Sequence, residues 1–464
     1  MEMLQAASAT GRAETAHGWI WSALPADCGR TEVRGAPGLT RLLAQAGFAS
    51  SGAEKPACAP ADAHILCSSR VPSNRTLQRA LAELGPDGAL VVARGAGAGD
   101  VDRRPRMRRL ARRVAIPARL ALLPASRRLR RKGLTVWLVE PGAGRGPALV
   151  AARRRRLTVT ESAAHAVEPV LGKALGVTHA RVLSTGTLMC ELAAGDGSRY
   201  LLRLAAGPAA ALAAHGRAMQ LRLVAAAPGP AVTDRLVPTL ASGRLRGIEY
   251  TVEPLRDGAP PRSLTTALFD ECIDFLVTLG RAGAPGAHGA SELVSADAAT
   301  MLPHLTPARA ATLGRVAETL AIRLGRTATV WCHGDFWPGN VLVRDGRLVA
   351  VLDWDAATSD GLPVLDLLHA NAMGDRRLRR LPHGRRCVDG LWPLARAATD
   401  DRVRRYCERI GTRPEPVLLE ALAVAYWLGR VARDVRMYAD RTGRRTWMQL
   451  NVEQPLDALA AAGW

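Results

Sequence analysis

Lysine is almost missing from this chain of 464 residues: of 63 lysines and arginines only three, Lys55, Lys132 and Lys173, are lysine, which leaves 60 arginines. Aromatic residues make up 4 % and hardly interleave with the arginine runs, so platforms for stacking bases are scarce and a specific nucleic-acid site is not expected. No run of about eighteen apolar residues occurs, and Met1 to Gln5 is not a basic region leading into an apolar one, so the expectation is a soluble, cytoplasmic protein. The eight cysteines, at 28, 58, 67, 190, 272, 332, 387 and 407, include no Cys-x-x-Cys pair, which argues against a zinc site or a disulfide framework. Residues 204–233 contain neither Asp nor Glu. What remains is an apolar fraction of 48 %, in a chain long enough for two or three globular domains.

The most informative stretch runs from His333 to Asn340. Thr327 to Cys332 reads as a strand delivering the chain into a loop, and within that loop Asp335 is followed five positions later by Asn340. Val341 to Arg344 and Arg347 to Leu352 read as two strands joined by Asp345 and Gly346, a hairpin that brings Asp353 back beside Asn340. A carboxylate, an asparagine and a second carboxylate so placed form the set that kinase-type phosphoryl transfer requires. Asp335 would orient an attacking hydroxyl and take its proton, while Asn340 and Asp353 would offer oxygen ligands to Mg²⁺. His333 enters the candidate catalytic set by its place in the loop, packing and hydrogen bonding there being its expected work, and Asp355 would support the loop.

These residues resemble the aminoglycoside phosphotransferase and choline kinase family, in which a His-Gly-Asp-x-x-x-x-Asn loop precedes an Asp-Trp-Asp/Glu strand end. The resemblance covers about residues 160–464 and implies an α+β, bilobal protein-kinase-like fold with ATP or GTP and Mg²⁺ as cofactors. It also implies that Asp366 is the structural aspartate one helix beyond the metal ligand.

In the smaller lobe, Ala180 to Ala193 and Arg199 to Leu204 read as three strands. The small-residue loop Ser184, Thr185, Gly186 and Thr187 is the candidate for backbone N–H groups approaching phosphate. Where the family places a lysine on the nucleotide phosphates this chain has Arg203, and the acid-free stretch after it lacks the usual glutamate partner; Gln220 or His215 could orient the arginine instead. Ile248 to Glu253 reads as the strand entering the hinge, with Glu253 a candidate for nucleotide binding and 253–260 the crossing.

Beyond Asp353, Leu365 to Met373 and Val417 to Met437 read as helices of the larger lobe. The second carries Tyr426, Trp427, Arg430, Arg433, Asp434 and Arg436, either as acceptor contacts or as the charged outer face of a half-buried helix. An arginine-rich surrounding disfavours polycationic acceptors such as aminoglycosides and favours a neutral or anionic hydroxyl compound, for instance a sugar.

The net charge of +21 is concentrated in arginine runs between Arg103 and Arg156, a solvated surface and linker or a peripheral contact with an anionic membrane. Residues 1–150 read as a small α/β, Rossmann-like domain: strand Ala61 to Cys67, helix Asn74 to Leu84, turn Gly85 to Gly88, strand Ala89 to Ala93 and closing strand Leu134 to Glu140. This resembles a truncated class I methyltransferase without its glycine-rich cofactor turn. The expected division is therefore 1–150, a basic linker 151–160, a small lobe 161–255 and a large lobe 256–464. Two functions stay open: a kinase of a small-molecule hydroxyl, or a catalytically silent binding or scaffold protein of a polysaccharide or secondary-metabolite pathway.

Overall fold

The computed structural model describes residues 20–34, 37–52, 61–68, 72–94, 122–139, 148–152, 157–183, 186–282, 289–325, 327–397, 400–438 and 441–464. They fall into two compact units, Met1–Ala211 with Pro238–Leu255, and Leu212–Val237 with Arg256–Trp464. The boundaries expected at 150 and 160 both lie inside the first unit, whereas the one at 255 coincides with a change of unit.

The first unit holds two sheets. In the first, β1 (Arg30–Arg34), β2 (Ala49–Gly52), β3 (Ala61–Ser68), β4 (Leu84–Arg94), β5 (Thr135–Val139) and β6 (Ala148–Ala152) lie in the order β2-β1-β3-β4-β6-β5. The pairings among β2, β1, β3 and β4 are parallel, and β6 runs antiparallel to both β4 and β5. Strand alternation gives this sheet two apolar faces. Leu90, Val92, Leu149 and Ala151 bury against Leu77 and Ala80 of helix α2 (Asn74–Ala82) and against Leu122, Ala125 and Leu129 of the helix at 122–130. Val91, Ala93, Ala148 and Val150 point the other way, into a core shared with helices α1 (Pro37–Gln45) and α3 (Val159–Leu171) and with the second sheet. Gly85 to Gly88, expected as a free turn, falls inside β4. Between Ala61 and Ala63 the partner advances from Leu84 to Ala89, so these residues bulge out of one continuous strand.

The second sheet is the antiparallel series β10-β11-β9-β8-β7, built from β7 (Leu175–Val182), β8 (Leu188–Ala194), β9 (Arg199–Ala206), β10 (Ala241–Leu245) and β11 (Ile248–Pro254). The three strands expected within 180–204 are β7, β8 and β9, contiguous with β7 at the edge, and beyond β9 lie β11, expected as the strand entering the hinge, and then β10. Elsewhere in this unit the Arg34 guanidinium donates to Glu32 at 2.9 Å and to Glu83, beside the fully buried His64 ring. The carboxylates that could hold a metal with His64 therefore already enclose a side-chain cation.

The second unit is mainly helical. Its core joins α5 (Thr266–Gly280), α6 (Ala290–Met301), α7 (Pro307–Leu324), α8 (Leu365–Gly374) and α9 (Pro416–Met437) to the hairpin β13 (Val341–Arg344)–β14 (Arg347–Val351) and the pair β12 (Val330–Cys332)–β15 (Thr358–Gly361). The hairpin turn is the one expected, with Asp345 at φ 51° and Gly346 at φ 78°, both left-handed as a two-residue turn of this kind needs. The middle of α9, from Ala421 to Leu428, is buried on all sides, so Tyr426 and Trp427 are core residues and not acceptor contacts. Among the described residues no helix is long and apolar enough to cross a membrane. Of the arginine runs, 103–121 and 153–156 lie outside the described residues. Arg127, Arg128, Arg130, Arg131 and Lys132 line the exposed side of the helix at 122–130 and its following turn.

Candidate active site

The loop His333–Asn340 is held from beneath by Asp366, at the start of α8. One of its carboxylate oxygens accepts the His333 N–H at 2.6 Å and the other the Gly334 N–H at 2.8 Å. Burial pushes this carboxyl up to about 6, against the backbone donors that favour its ionised form. The geometry is the one expected of a structural aspartate. Gly334 has φ 75°, and a Cβ on it would lie 2.1 Å from the Ala356 carbonyl oxygen, so no side chain fits where the loop passes the strand end.

His333 is wholly buried, with ring centroids 4.7 Å from Trp354 and 6.0 Å from Phe336. Its Nε2 lies 2.9 Å from the Leu352 carbonyl, which can only accept, so that nitrogen carries the proton; Nδ1 then accepts the Asp335 N–H at 3.3 Å. Burial holds its pKa down to about 4. Both ring nitrogens are engaged within this segment, and through Nδ1 the ring holds the Asp335 backbone.

Asn340 turns on its neighbours in the same way. Nδ2 donates to the Asp335 carbonyl at 2.9 Å and to Asp335 Oδ2 at 3.1 Å. Two acceptors face the NH₂ group, so the amide oxygen is the atom left to face a cation. The Asn340 carbonyl accepts the Leu352 N–H at 2.8 Å, which fixes the loop to the strand end where Asp353 follows. Asp353 sits at φ 65°, a left-handed conformation that aspartate tolerates better than most side chains, and it alternates with the buried Trp354 and with Asp355. A neutral amide oxygen and a carboxylate on adjoining strand ends form a hard oxygen donor set that fits Mg²⁺.

Asp335 itself is not open on all sides. Its Oδ1 accepts from Arg430 Nη1 at 2.8 Å and lies 3.1 Å from His369 Nε2 and 3.6 Å from Arg433 Nη1. Both arginines also donate to the Gly334 carbonyl, at 3.1 and 3.2 Å. His369 Nδ1 faces the Tyr426 hydroxyl at 2.7 Å, so a neutral ring protonated on Nε2 can link Tyr426 to Asp335. Burial, and then the charge of Arg430, push His369 down to about 4. Burial alone would raise the Asp335 carboxyl; the His369 hydrogen bond and the two arginine charges outweigh it and hold that carboxyl well below the ordinary range. Sequence reasoning placed Arg430 and Arg433 on this helix without assigning them to the base. Their i, i+3 spacing was the available signal.

The helix after β9, α4 (Pro208–Ala225), enters the second unit at Leu212. His215 Nε2 meets the Ala357 carbonyl at 2.8 Å, and Arg222 donates to Ser359 Oγ at 3.1 Å. His215 is therefore committed to the segment following Asp353, and is not the expected partner of Arg203.

The nucleotide-binding candidates lie in the first unit. Ser184 and Thr185 fall outside the described residues. Gly186, at φ 88°, and Thr187 close a tight turn in which the Thr187 carbonyl accepts the Leu183 N–H at 2.8 Å, and the Thr187 side chain is buried. Arg203, half-buried on central strand β9, stands opposite Met189 and Thr251. One step along the same face, Leu201 stands opposite both Glu191 and Glu253, so each of these carboxylates is a diagonal neighbour of Arg203. Glu191 pairs with Arg199 at 2.9 Å. Glu253 lies within β11, whose pairing continues to Pro254, and so precedes the crossing it was expected to begin.

A separate cavity of about 620 Å³ in the second unit is bordered by Leu264, Phe269, Asn371, Asp375 and Asp400. Its carboxylates are spent on local structure: Asp375 accepts from the Arg377 and Leu378 N–H groups, and Asp400 from the Arg402 N–H and the Asn371 amide.

Residues 187–398 match the model of the phosphotransferase enzyme family, in agreement with the sequence-based identification of an alcohol-group phosphotransferase. No curated protein matches the chain. Among solved structures, a thermostable mutant of aminoglycoside phosphotransferase APH(4)-Ia is similar at 15 % identity and a TM-score of 0.45, over 65 % of this chain and 100 % of that one. A putative fructosamine-3-kinase from Thermobifida fusca gives 18 % and 0.44, over 65 % and 98 %; macrolide 2'-phosphotransferase type I gives 15 % and 0.43, over 64 % and 97 %.

Proposed function

Because residues 187–398 match the model of the phosphotransferase enzyme family, we propose that the chain transfers the γ-phosphoryl group of a nucleoside triphosphate, ATP or GTP, to a hydroxyl of a small molecule. The observation that carries this reading is the orientation of Asn340, whose NH₂ group is consumed by Asp335 so that its amide oxygen remains for a cation beside Asp353. Asn340 and Asp353 would hold Mg²⁺ there, where its charge would offset that of the nucleotide phosphates. Asp335 orients the attacking hydroxyl through Oδ2. Oδ1 is taken by Arg430 and His369, and Asn340 uses one of the two acceptor positions on Oδ2. Held well below the ordinary carboxylate range, Asp335 is a weak base, which suits a loose transition state in which the hydroxyl proton leaves late. Arg203 supplies the cation on the phosphates, and the cross-strand Glu253 supplies the countercharge that the acid-free helix lacks. The N-terminal sheet is read as a degenerate α/β domain without methyl-transfer activity.

The test is the melting temperature of the full chain with MgATP, MgGTP or Mg²⁺ alone, in wild type and Asp353→Asn. A ligand at about a hundred times its dissociation constant should add about 2.7 kcal/mol. A nucleotide-specific rise lost in the variant is expected. No rise in either protein would leave the silent binding protein as the reading, which the replacement of the family's lysine by Arg203 favours.

A further inference from the structure

Two guanidinium groups stand at one carboxylate. Arg430 and Arg433, one turn apart on α9, both approach Asp335 Oδ1 and the Gly334 carbonyl, at 2.8 and 3.6 Å from the first and 3.1 and 3.2 Å from the second. The pair is built in, not dangling: its side chains and that of Asp335 keep only a fifth to a quarter of their exposure, enough to be reached from solvent. All four contacts are made by Nη1, two to the Gly334 carbonyl and two to Asp335 Oδ1, which His369 Nε2 also approaches. At Asp335 Oδ1 two guanidiniums face one carboxylate, while the charge of Asp434 also acts on Arg430 and that of Asp353 on Arg433. Burial, and then the like charge of Arg430, push the Arg433 guanidinium below its ordinary value although the charges of Asp335 and Asp353 act to raise it.

We propose that Arg430 and Arg433 form an anion subsite beside Asp335, so that the acceptor is a hydroxyl compound carrying a carboxylate or phosphate group close to the hydroxyl that is phosphorylated. This rests on the phosphotransfer reading above. An anion on the acceptor meets the outer N–H groups of the two guanidiniums, whose fork geometry matches both carboxylate and phosphate. Its hydroxyl is thereby brought to Oδ2 of Asp335. A polycation is repelled from the same place, so the subsite selects by charge as well as by shape.

The test titrates the full chain, at constant ionic strength, with inorganic phosphate, glycerol 3-phosphate, glycerate and glycerol, with and without saturating MgADP. Binding of the anions but not of glycerol is expected, with and without MgADP, and Arg433→Gln is expected to weaken it at least tenfold. Agreement or difference between glycerate and glycerol 3-phosphate tells which anion the subsite prefers. Equal anion affinity in wild type and Arg433→Gln, absence of anion binding, or anion binding abolished by MgADP would each overturn the proposal, the last because the arginines would then serve the nucleotide. Should Arg433→Gln not fold, Arg433→Lys, which keeps the charge and loses the fork, is expected to bind phosphate several-fold more weakly. A missing MgATP shift alongside intact, Arg433-dependent anion binding would overturn the phosphotransfer reading and leave the subsite standing.

Discussion

Arg430 Nη1 donates to Asp335 Oδ1 at 2.8 Å, from a helix 95 positions further along the chain. The pair is mostly withdrawn from water, and breaking such a pair from one side leaves an uncompensated charge that costs about 3–5 kcal/mol. Asp335→Asn should therefore both abolish phosphotransfer and lower stability, the second because Arg430 and Arg433 lose the carboxylate they meet at the loop. Arg430→Met should lower stability too, and the double variant should be less damaged than the sum, with a coupling energy above about 1 kcal/mol. Urea melts of the four proteins measure this; additive effects would refute a shared charge cluster.

The pH dependence of stability follows from buried histidines. His333 and His369 have folded pKa values of about 4 against an ordinary 6.5, burial being the main cause in each. Their depressed values mean that the unfolded chain binds protons first, so the stability they contribute is complete above 6.5 and is lost as the pH falls towards 4. Asp366, raised from 3.8 to about 6, acts in the opposite sense, but only as the pH falls from 6. Between pH 7.5 and 6 the histidines dominate, and the melting temperature should drop over that interval. His369→Gln should make the drop shallower. A flat profile in the wild type would contradict buried neutral rings.

The register of β9 between β8 and β11 makes a prediction about Arg203, the cation proposed for the nucleotide phosphates. Arg203→Ala should weaken MgATP binding at least tenfold, whereas Arg203→Lys should retain most of it, since both carry the charge. Glu253→Gln should weaken binding by a smaller factor, by removing the diagonal carboxylate on the same face of the sheet. Calorimetric titration with MgATP distinguishes the three. Unchanged affinity in Glu253→Gln would mean that Arg203 draws its countercharge from elsewhere.

Local chemistry explains which parts of the site were legible in the sequence. Asp345 and Gly346 announce a two-residue hairpin because few other residues adopt two successive left-handed conformations, and the hairpin returned Asp353 as expected. The role of Asp366 was legible through family resemblance, and its two backbone acceptor contacts match it. Residues whose partners lie far along the chain were not legible. His215 looked available to Arg203 until the packing of α4 gave it to the Ala357 carbonyl. For Arg430 and Arg433 the sequence left open acceptor contacts or the charged outer face of a half-buried helix; the turns before them are buried all round, and only the tertiary fold turns them to the His333–Asn340 loop. Gly85 to Gly88 carried a strong turn signal that a bulge within one strand absorbed, because β3 pairs with the chain on either side of it.

Two helical glycines should respond to the same substitution with opposite signs. Alanine is the better helix former by about 1 kcal/mol, so where space is open Gly→Ala stabilises. Gly314, within α7, has nothing within 4 Å of a Cβ position, and Gly314→Ala should raise stability by about 0.5–1 kcal/mol. Gly216, within α4, has Asp355 Oδ1 at 2.7 Å and the backbone of Asp355 and Trp354 at 3.0 Å. The carboxylate can swing aside but the backbone cannot, and overpacking of this kind costs about 1–3 kcal/mol, more than the propensity gain. Gly216→Ala should therefore be destabilising on balance. The backbone it displaces is joined directly to Asp353, so the variant should also lose affinity for MgATP, while Gly314→Ala should leave that affinity unchanged. Paired melts with and without MgATP check both signs at once. A Gly216→Ala protein as stable and as tightly binding as the wild type would show that α4 does not hold the Asp353 to Asp355 segment in place.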